Sequence, residues 1–347
     1  MDFEFAARVK KLPPYVFAKI DELKREQMEK GVDVISFGIG DPDLPPPERV
    51  LKKLHEASLK PENSRYPSYA GMPELRKAIA QWYEARFNVS LDPKNEVLVL
   101  CGSKEGIAHI PQAFINPGDG VLIPSPAYPV YNTATILAGG TPVSLPLREE
   151  KDYLPDFSAI DRKALDRSKM CFLNYPSNPT AATADEGFFE RVVHFAKQTD
   201  MIICHDNAYS EIYFDGKRPM SYLQAAGAKE AWGVEFHSMS KTFSVAGFRL
   251  GFVVGNKRII EGLGQVKTNI DSGVYQPLQE AAIVALEQCW KDCDNYRAIY
   301  QARRDLFCNE MKRMKFSFRV PEASFYVWTK VPLGFSSESF TEFLLKE

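Results

Sequence analysis

The chain has 347 residues, with 43 Lys plus Arg against 45 Asp plus Glu and a formal net charge of −2. That length suits roughly two domains, and a composition 45% hydrophobic and 25% charged can bury a full core without metals or disulfide staples. The near-zero charge gives no bulk electrostatic case for nucleic acid or an anionic membrane, and no apolar run reaches the roughly 18 residues that a bilayer span requires.

Met1 to Arg8 carries acidic residues and no apolar run, so no signal peptide is expected. A charged amphipathic helix is predicted over Ala18 to Lys30, ended by Gly31. A short strand, Val34 to Phe37, is predicted to enter Gly38-Ile39-Gly40-Asp41-Pro42. Pro45-Pro46-Pro47 reads as a rigid turn before a helix that reaches about Lys60. In Met72 to Phe87, Leu75, Ile79, Trp82 and Tyr83 recur at helical spacing. Strands are predicted at Val97–Leu100, Gly120–Ile123, Thr141–Leu145, Met170–Asn174, Met201–Asp206, Val234–Ser238 and Gly251–Val254. Helices are predicted between several of them, at Ile107–Phe114, Tyr128–Ala138, Glu186–Gln198 and Met220–Ala226.

Near-continuous apolar strands alternating with helices imply an α/β fold, a mostly parallel sheet covered on both faces. Ligands of such sheets sit beyond the carboxyl ends of the strands. From Gln276 a long helix is predicted towards Ala302 and on to Lys315, with strands at Phe316–Arg319 and Phe325–Thr329 in a smaller α/β domain. The expected division is an N-terminal segment, 1–45, packing with the small domain; a large domain, 46–275; and the interdomain helix with the small domain, 276–347.

The six cysteines are Cys101, Cys171, Cys204, Cys289, Cys293 and Cys308. Several lie in apolar runs where a free thiol serves as a small hydrophobe, so a reducing, cytoplasmic setting is expected. Cys289 and Cys293 stand four apart on a predicted helix, but no second pair or nearby His completes a metal half-site. The histidines show no HExxH spacing, and no metal is expected.

Four stretches fall at strand ends. Cys101-Gly102-Ser103-Lys104-Glu105-Gly106, between a strand and a helix, reads either as an ordinary turn or as a site where backbone N–H groups meet an anion. Asn174-Tyr175-Pro176-Ser177-Asn178-Pro179-Thr180 follows a strand, where Asn and Pro commonly mark a turn. Asp206 and Tyr209, three residues apart after the next strand, could share one crevice or simply lead into a helix. Lys241, in Ser238-Met239-Ser240-Lys241-Thr242, is followed by Arg249 between Gly247 and Gly251. A desolvated lysine there could form a Schiff base with a carbonyl, and a solvated lysine would be a surface cation.

Taken together, these stretches resemble the fold type I, class I and II aminotransferases that use pyridoxal 5′-phosphate. The resemblance covers the chain from Gly38 to about Thr329 and rests on Ser238-x-Ser240-Lys241 with Arg249 and Gly251, on Asn178-Pro179-Thr180 and on Asp206-x-x-Tyr209. It implies a seven-stranded large domain and a smaller α/β domain. It implies that Lys241 bonds the cofactor and later moves a proton as general base, and that Asp206 pairs with the pyridinium nitrogen. Tyr209 and Asn178 would donate to the cofactor's ring oxygen, and Tyr128 would stack on the ring. Ser103, Lys104, Ser238, Ser240 and Arg249 would hold the phosphate. Tyr66 would reach the neighbouring subunit's phosphate, which implies a homodimer with sites at the interface. The Gly40 backbone N–H would meet the substrate carboxylate, and Asn178 would also bind substrate. The implied reaction is ping-pong transfer of an amino group between an L-amino acid and a 2-oxo acid.

Within that family, Gly38 to Asp43, Arg65 to Gly71 and Gly102 to His109 look most like LL-diaminopimelate aminotransferases, which serve lysine biosynthesis with 2-oxoglutarate and glutamate as partners. Alanine, aspartate or aromatic aminotransferases and a C–S lyase using the same cofactor are the alternatives. Two departures stand out. The family usually has Gly after Asn-Pro-Thr, where this chain has Ala181, which matters if the backbone there needs positive φ. The family also continues past this chain's last residues to an arginine that binds the substrate carboxylate, and Arg319 stands too early to match it. The expectation is therefore a fragment, stopping within a helix at Leu344 to Glu347, that binds cofactor and transaminates poorly.

Overall fold

The computed structural model describes residues 3–13 and 16–346. Met1, Asp2 and Glu347, which belong to the terminal readings above, lie outside the described residues. Seven strands form one sheet: β1 Val97–Leu100, β2 Gly120–Ser125, β3 Thr141–Pro146, β4 Ser168–Asn174, β5 Ile202–Asp206, β6 Gly233–Ser238 and β7 Gly251–Gly255. They are ordered β1-β7-β6-β5-β4-β2-β3. Only β7 runs against its neighbours. That reversal brings Arg249, which precedes β7, to the sheet edge where β1, β4, β5 and β6 end.

The described helices are α1 Ala7–Lys10, α2 Val16–Glu29, α3 Glu48–Ser58, α4 Pro73–Phe87, α5 Ser103–Phe114, α6 Val130–Leu137, α7 Arg162–Asp166, α8 Glu186–Thr199, α9 Met239–Thr242, α10 Lys257–Thr268, α11 Gln276–Gln288, α12 Trp290–Arg313 and α13 Ser337–Lys346. Alternate strand residues face opposite sides, and each side has its own apolar core. Val97, Val99, Leu173 and Ile203 pack with Leu75, Ile79 and Phe87 of α4 and Phe188, Phe189 and Val192 of α8. Leu98, Leu100, Phe172 and Phe236 pack with Ile107 and Ile110 of α5, Val130 of α6 and Leu263 of α10. The result is a helix–sheet–helix sandwich. Burying each large apolar side chain contributes roughly 1.5–3 kcal/mol, so these strands have little freedom to shift.

Several expected elements differ. Val34–Phe37 is not a strand: no described strand pairs with it, and Ile35 and Phe37 are exposed. Phe316–Arg319 and Phe325–Thr329 meet in a single bridge, Phe318 to Thr329, in place of a ladder, and a second isolated bridge joins Tyr213 to Ala323, which lies between the two segments. Left-handed Ser324, at φ 59°, and Pro321, which lacks an N–H, break the extended backbone between them. Met220–Ala226 holds only a short 3-10 turn at Tyr222–Gln224, capped by the Ser221 side chain. The long helix from Gln276 breaks at Cys289, whose φ of −110° and ψ of 22° leave the helical region. There the Trp290 indole donates back to Leu286 O at 2.6 Å and stacks on Trp82 at 5.9 Å. Helix α5 begins at Ser103, four residues before the predicted start at Ile107. No described helix is long and apolar enough to cross a membrane, and all six cysteines are free.

Candidate active site

The carboxyl ends of β4, β5 and β6, the start of α5 and the turn before β7 surround one cavity of about 550 Å³. Its lining brings together Gly40, Ser103, Lys104, Tyr128, Asn178, Asp206, Tyr209, Ser238, Ser240, Lys241 and Arg249, eleven of the twelve sequence-predicted site residues. The twelfth, Tyr66, is 90% exposed and lies outside the lining. Arg319 is also outside it, paired with Asp152 at the surface.

At one end, Gly102 has φ 83° and leads directly into α5. A Cβ there would lie 2.7 Å from Arg249 Nη2, so glycine admits the guanidinium against the helix start. Arg249 itself is left-handed, at φ 53°, and donates from Nη1 to Ala246 O at 2.9 Å. The N-terminal end of the α5 dipole, Lys104 and Arg249 make this end suited to an anion. Ser238 caps the short α9, its Oγ accepting from Ser240 N at 3.2 Å, and this cap orients Lys241 into the cavity.

Lys241 Nζ donates to Gly40 O at 2.9 Å. Burial lowers its pKa from the usual lysine value, opposed by the charge of Asp41 and assisted by that of Arg249. Asp206, at the end of β5, also lines the cavity. Its backbone is fixed by Asn174, whose Nδ2 donates to Asp206 O at 2.7 Å, and its Oδ2 accepts from the Tyr131 hydroxyl at 2.8 Å. Its Oδ1 is buried with no hydrogen-bond partner. Burial pushes the Asp206 carboxyl up to about 6, with the Tyr131 hydrogen bond acting in the other direction. Asn178 is held by Asn174, whose Oδ1 accepts the Asn178 N–H at 2.6 Å. Tyr128 stands with its ring 5.9 Å from Lys104 Nζ and edge-on to Tyr131.

Sequence reasoning missed Tyr131, Tyr326, Asp21 and Asp41. Tyr131 follows Tyr128 by three residues at the start of a helix, a spacing that reads equally as core. Tyr326, within a segment expected to be a strand, lies 2.8 Å from the Tyr209 hydroxyl. Behind the first turn of α5, Cys101, Glu105 and Asp271 bring three metal-capable donors together. Lys267 Nζ, fully buried, sits among them, 2.9 Å from both Asp271 oxygens and 3.3 Å from Glu105 Oε2, so an ammonium supplies the positive charge there.

The profile of the family described as aminotransferase class I and II matches residues 32–347. The chain is 51% identical over 347 residues to the LL-diaminopimelate aminotransferase of Syntrophobacter fumaroxidans, covering 100% of this chain and 89% of that one. Substrate-bound BacF from Bacillus subtilis superposes with a TM-score of 0.95 at 37% identity, covering 99% of this chain and 88% of that one. A probable N-succinyldiaminopimelate aminotransferase from Thermus thermophilus superposes with a TM-score of 0.89 at 38% identity, covering 96% and 88%.

Proposed function

Because the chain belongs to the class I and II aminotransferases, enzymes that depend on pyridoxal 5′-phosphate, we propose that it exchanges the amino group of LL-2,6-diaminopimelate with 2-oxoglutarate in one cavity. The observation that carries the reaction is the presence, in the lining of one cavity, of a lysine with lowered basicity and a buried carboxylate with one uncommitted oxygen. The substrate choice is supported by the 51% identity to a diaminopimelate enzyme along the whole chain.

The residues present fit the cofactor. Asp206 Oδ1 would accept from a protonated ring nitrogen, which would complete its hydrogen bonding and offset its burial. Ser103, Lys104, Ser238, Ser240 and Arg249 would hold the phosphate at the glycine-lined start of α5. Tyr128 would cover the ring, and Tyr209 and Asn178 would donate to its oxygen. When bound, pyridoxal 5′-phosphate supplies an electron-accepting ring that stabilises negative charge at the substrate's Cα. Lys241, less often protonated than a surface lysine, would hold the cofactor through its amine and, once the substrate amine has taken its place there, would be free to take the proton from that Cα. Gly40 O steadies its amine, and the Gly40 N–H would serve the substrate carboxylate. One cavity serving both acids in turn gives ping-pong kinetics.

The same reading assigns a homodimer, supported by the exposed Tyr66 outside its own protomer's cavity. It assigns a cytoplasmic setting, supported by six free thiols, and a place in lysine biosynthesis, supported by the 51% identity to a diaminopimelate enzyme. It divides the chain into a segment 1–45, a cofactor unit 46–275 and a small unit 276–347. Leu44, Tyr300 and Phe325, which pack together around Ile212 and Phe214, support grouping the first with the last.

The test is glutamate formation from LL-diaminopimelate and 2-oxoglutarate by protein loaded with cofactor, read as parallel initial-rate lines. Faster transfer from alanine, aspartate or aromatic amino acids would overturn the substrate assignment. Release of pyruvate and ammonia from a β-thio amino acid in place of transfer would overturn the reaction.

A further inference from the structure

We propose that Tyr326 is a positioning residue that donates to the Tyr209 hydroxyl and so commits the single phenolic proton of Tyr209 to the cofactor's ring oxygen. This rests on the reading that Tyr209 faces that oxygen. The two hydroxyl oxygens are 2.8 Å apart, and either could donate. Burial pushes both phenols upward, so at neutral pH each brings one proton to the pair. A phenol has one proton to give. If Tyr209 gave its proton to Tyr326, none would remain for the ring oxygen. With Tyr326 as donor, Tyr209 accepts one hydrogen bond and gives another, and accepting strengthens the bond it gives.

The position of Tyr326 is enforced from its other side. A Cβ on Gly40 would lie 2.5 Å from Tyr326 Oη and 2.7 Å from Cζ, so only glycine leaves the ring this place. The Gly40 carbonyl is also the acceptor for Lys241 Nζ. The Tyr326 ring packs edge-on to Tyr209 at 5.6 Å and tilted against Phe325 at 5.7 Å. Tyr326 is therefore wedged between the loop that holds the lysine and the phenol that meets the cofactor. Phenylalanine would keep this packing and remove only the hydroxyl.

The readout is the pH midpoint of the visible absorbance of bound cofactor, without substrate, in the wild-type holoenzyme, Tyr326→Phe, Tyr209→Phe and the double variant. A weaker donor at the ring oxygen raises the midpoint. Tyr209→Phe is expected to raise it most, Tyr326→Phe by roughly half a pH unit to one, and the double variant no further than Tyr209→Phe alone. If Tyr209→Phe moves the midpoint and Tyr326→Phe does not, or if the two shifts add, the role of Tyr326 is overturned while that of Tyr209 stands. An unmoved midpoint in Tyr209→Phe overturns the reading of Tyr209 and this proposal with it. Cofactor affinity and urea unfolding are measured on the same proteins. Losses there in Tyr326→Phe with an unmoved midpoint would make Tyr326 a packing residue and overturn the proposal.

Discussion

Two buried carboxylates lie on neighbouring strands, Glu235 on β6 and Asp206 at the end of β5, and they meet opposite treatment. Glu235 is surrounded by donors: His205 Nδ1 at 2.7 Å, Asn207 Nδ2 at 2.9 Å, Tyr222 N at 2.8 Å, His237 Nε2 at 2.9 Å and the Tyr83 hydroxyl. The Tyr175 N–H donates to His205 Nε2 at 3.2 Å, so the His205 proton sits on Nδ1 and is given to Glu235. Burial opposes its charge, yet the two histidines and the other donors hold its carboxyl well below the usual range. Asp206 has Tyr131 on one oxygen and nothing on the other, and burial prevails. Burial alone does not distinguish a site from a core. Hydrogen-bond saturation does: the saturated carboxylate ties strands and helices together, and the unsaturated one faces the cavity.

The comparison is broken most sharply by Lys241→Ala. The lysine amine holds one hydrogen bond to a backbone carbonyl, so the fold should survive its loss. Glutamate formation should fall by at least about 1000-fold, because nucleophile and base go together. Unfolding in urea should stay within about 1 kcal/mol of wild type. A variant that transaminates at the wild-type rate would remove Lys241 from the chemistry.

Glu235→Gln should do the reverse. It sets an amide NH₂ against a shell of donors and takes away the anion that they stabilise. The expected cost is about 3 kcal/mol or more in urea unfolding. The folded carboxyl of Glu235 is depressed, so its contribution is present above the unfolded value of 4.5 and is lost as pH falls. The variant should lose that acid-side slope. An unchanged unfolding curve would show that the network is not structural.

Asp206→Asn gives the opposite slope. Burial raises the folded carboxyl from 3.8 to about 6, so the folded, cofactor-free protein binds this proton more tightly than the unfolded chain. Stability should therefore fall as pH rises from about 4 to about 6, by roughly 2–3 kcal/mol. The Asn variant should lose this decline and be more stable than wild type at pH 8 without cofactor. Its transamination should nevertheless fall by on the order of 100-fold or more, since the ring nitrogen loses its anion. Urea unfolding across pH, on cofactor-free protein, measures the first effect; a variant less stable at pH 8 would sink this account.

The strands were legible because most carry apolar runs that the sheet buries almost throughout, as in β1, β2, β5 and β7, while the edge strand β3 showed through Val143 and Leu145 alternating with exposed Ser144 and Pro146. Lys241, Asp206 and Arg249 were legible because chemistry restricts the residue types at strand ends. What escaped notice has no local signature. The break at Cys289 has neither Gly nor Pro to mark it and follows from the stacking of Trp290 on Trp82. Val34–Phe37 has strand-like residues but no partner strand, and pairing is a property of two segments. Tyr131 and Tyr326 matter through hydroxyl partners 75 and 117 residues away in the chain.

The departure at Ala181 shows the same limit at a single backbone angle. The sequence shows alanine where the family usually has glycine, but not whether the turn needs positive φ. The structure has Ala181 at φ 57°, buried. The turn is locked from both sides: Ala181 N–H donates to Ser177 O at 3.0 Å, and Ser177 N–H donates to Ala182 O at 2.9 Å. A left-handed alanine carries strain of roughly 1–2 kcal/mol, and glycine would relieve it at an entropic cost of about 0.5–1 kcal/mol. Ala181→Gly should therefore stabilise the protein by roughly 0.5–1 kcal/mol. The neighbouring Ala182 is not among the described positive-φ residues, so Ala182→Gly gains only unfolded-state entropy and should destabilise by about as much. Opposite signs for adjacent substitutions, read from urea unfolding of the two variants, isolate the backbone angle from any general effect of glycine in this loop. Equal signs would mean that the left-handed turn at Ala181 stores no strain.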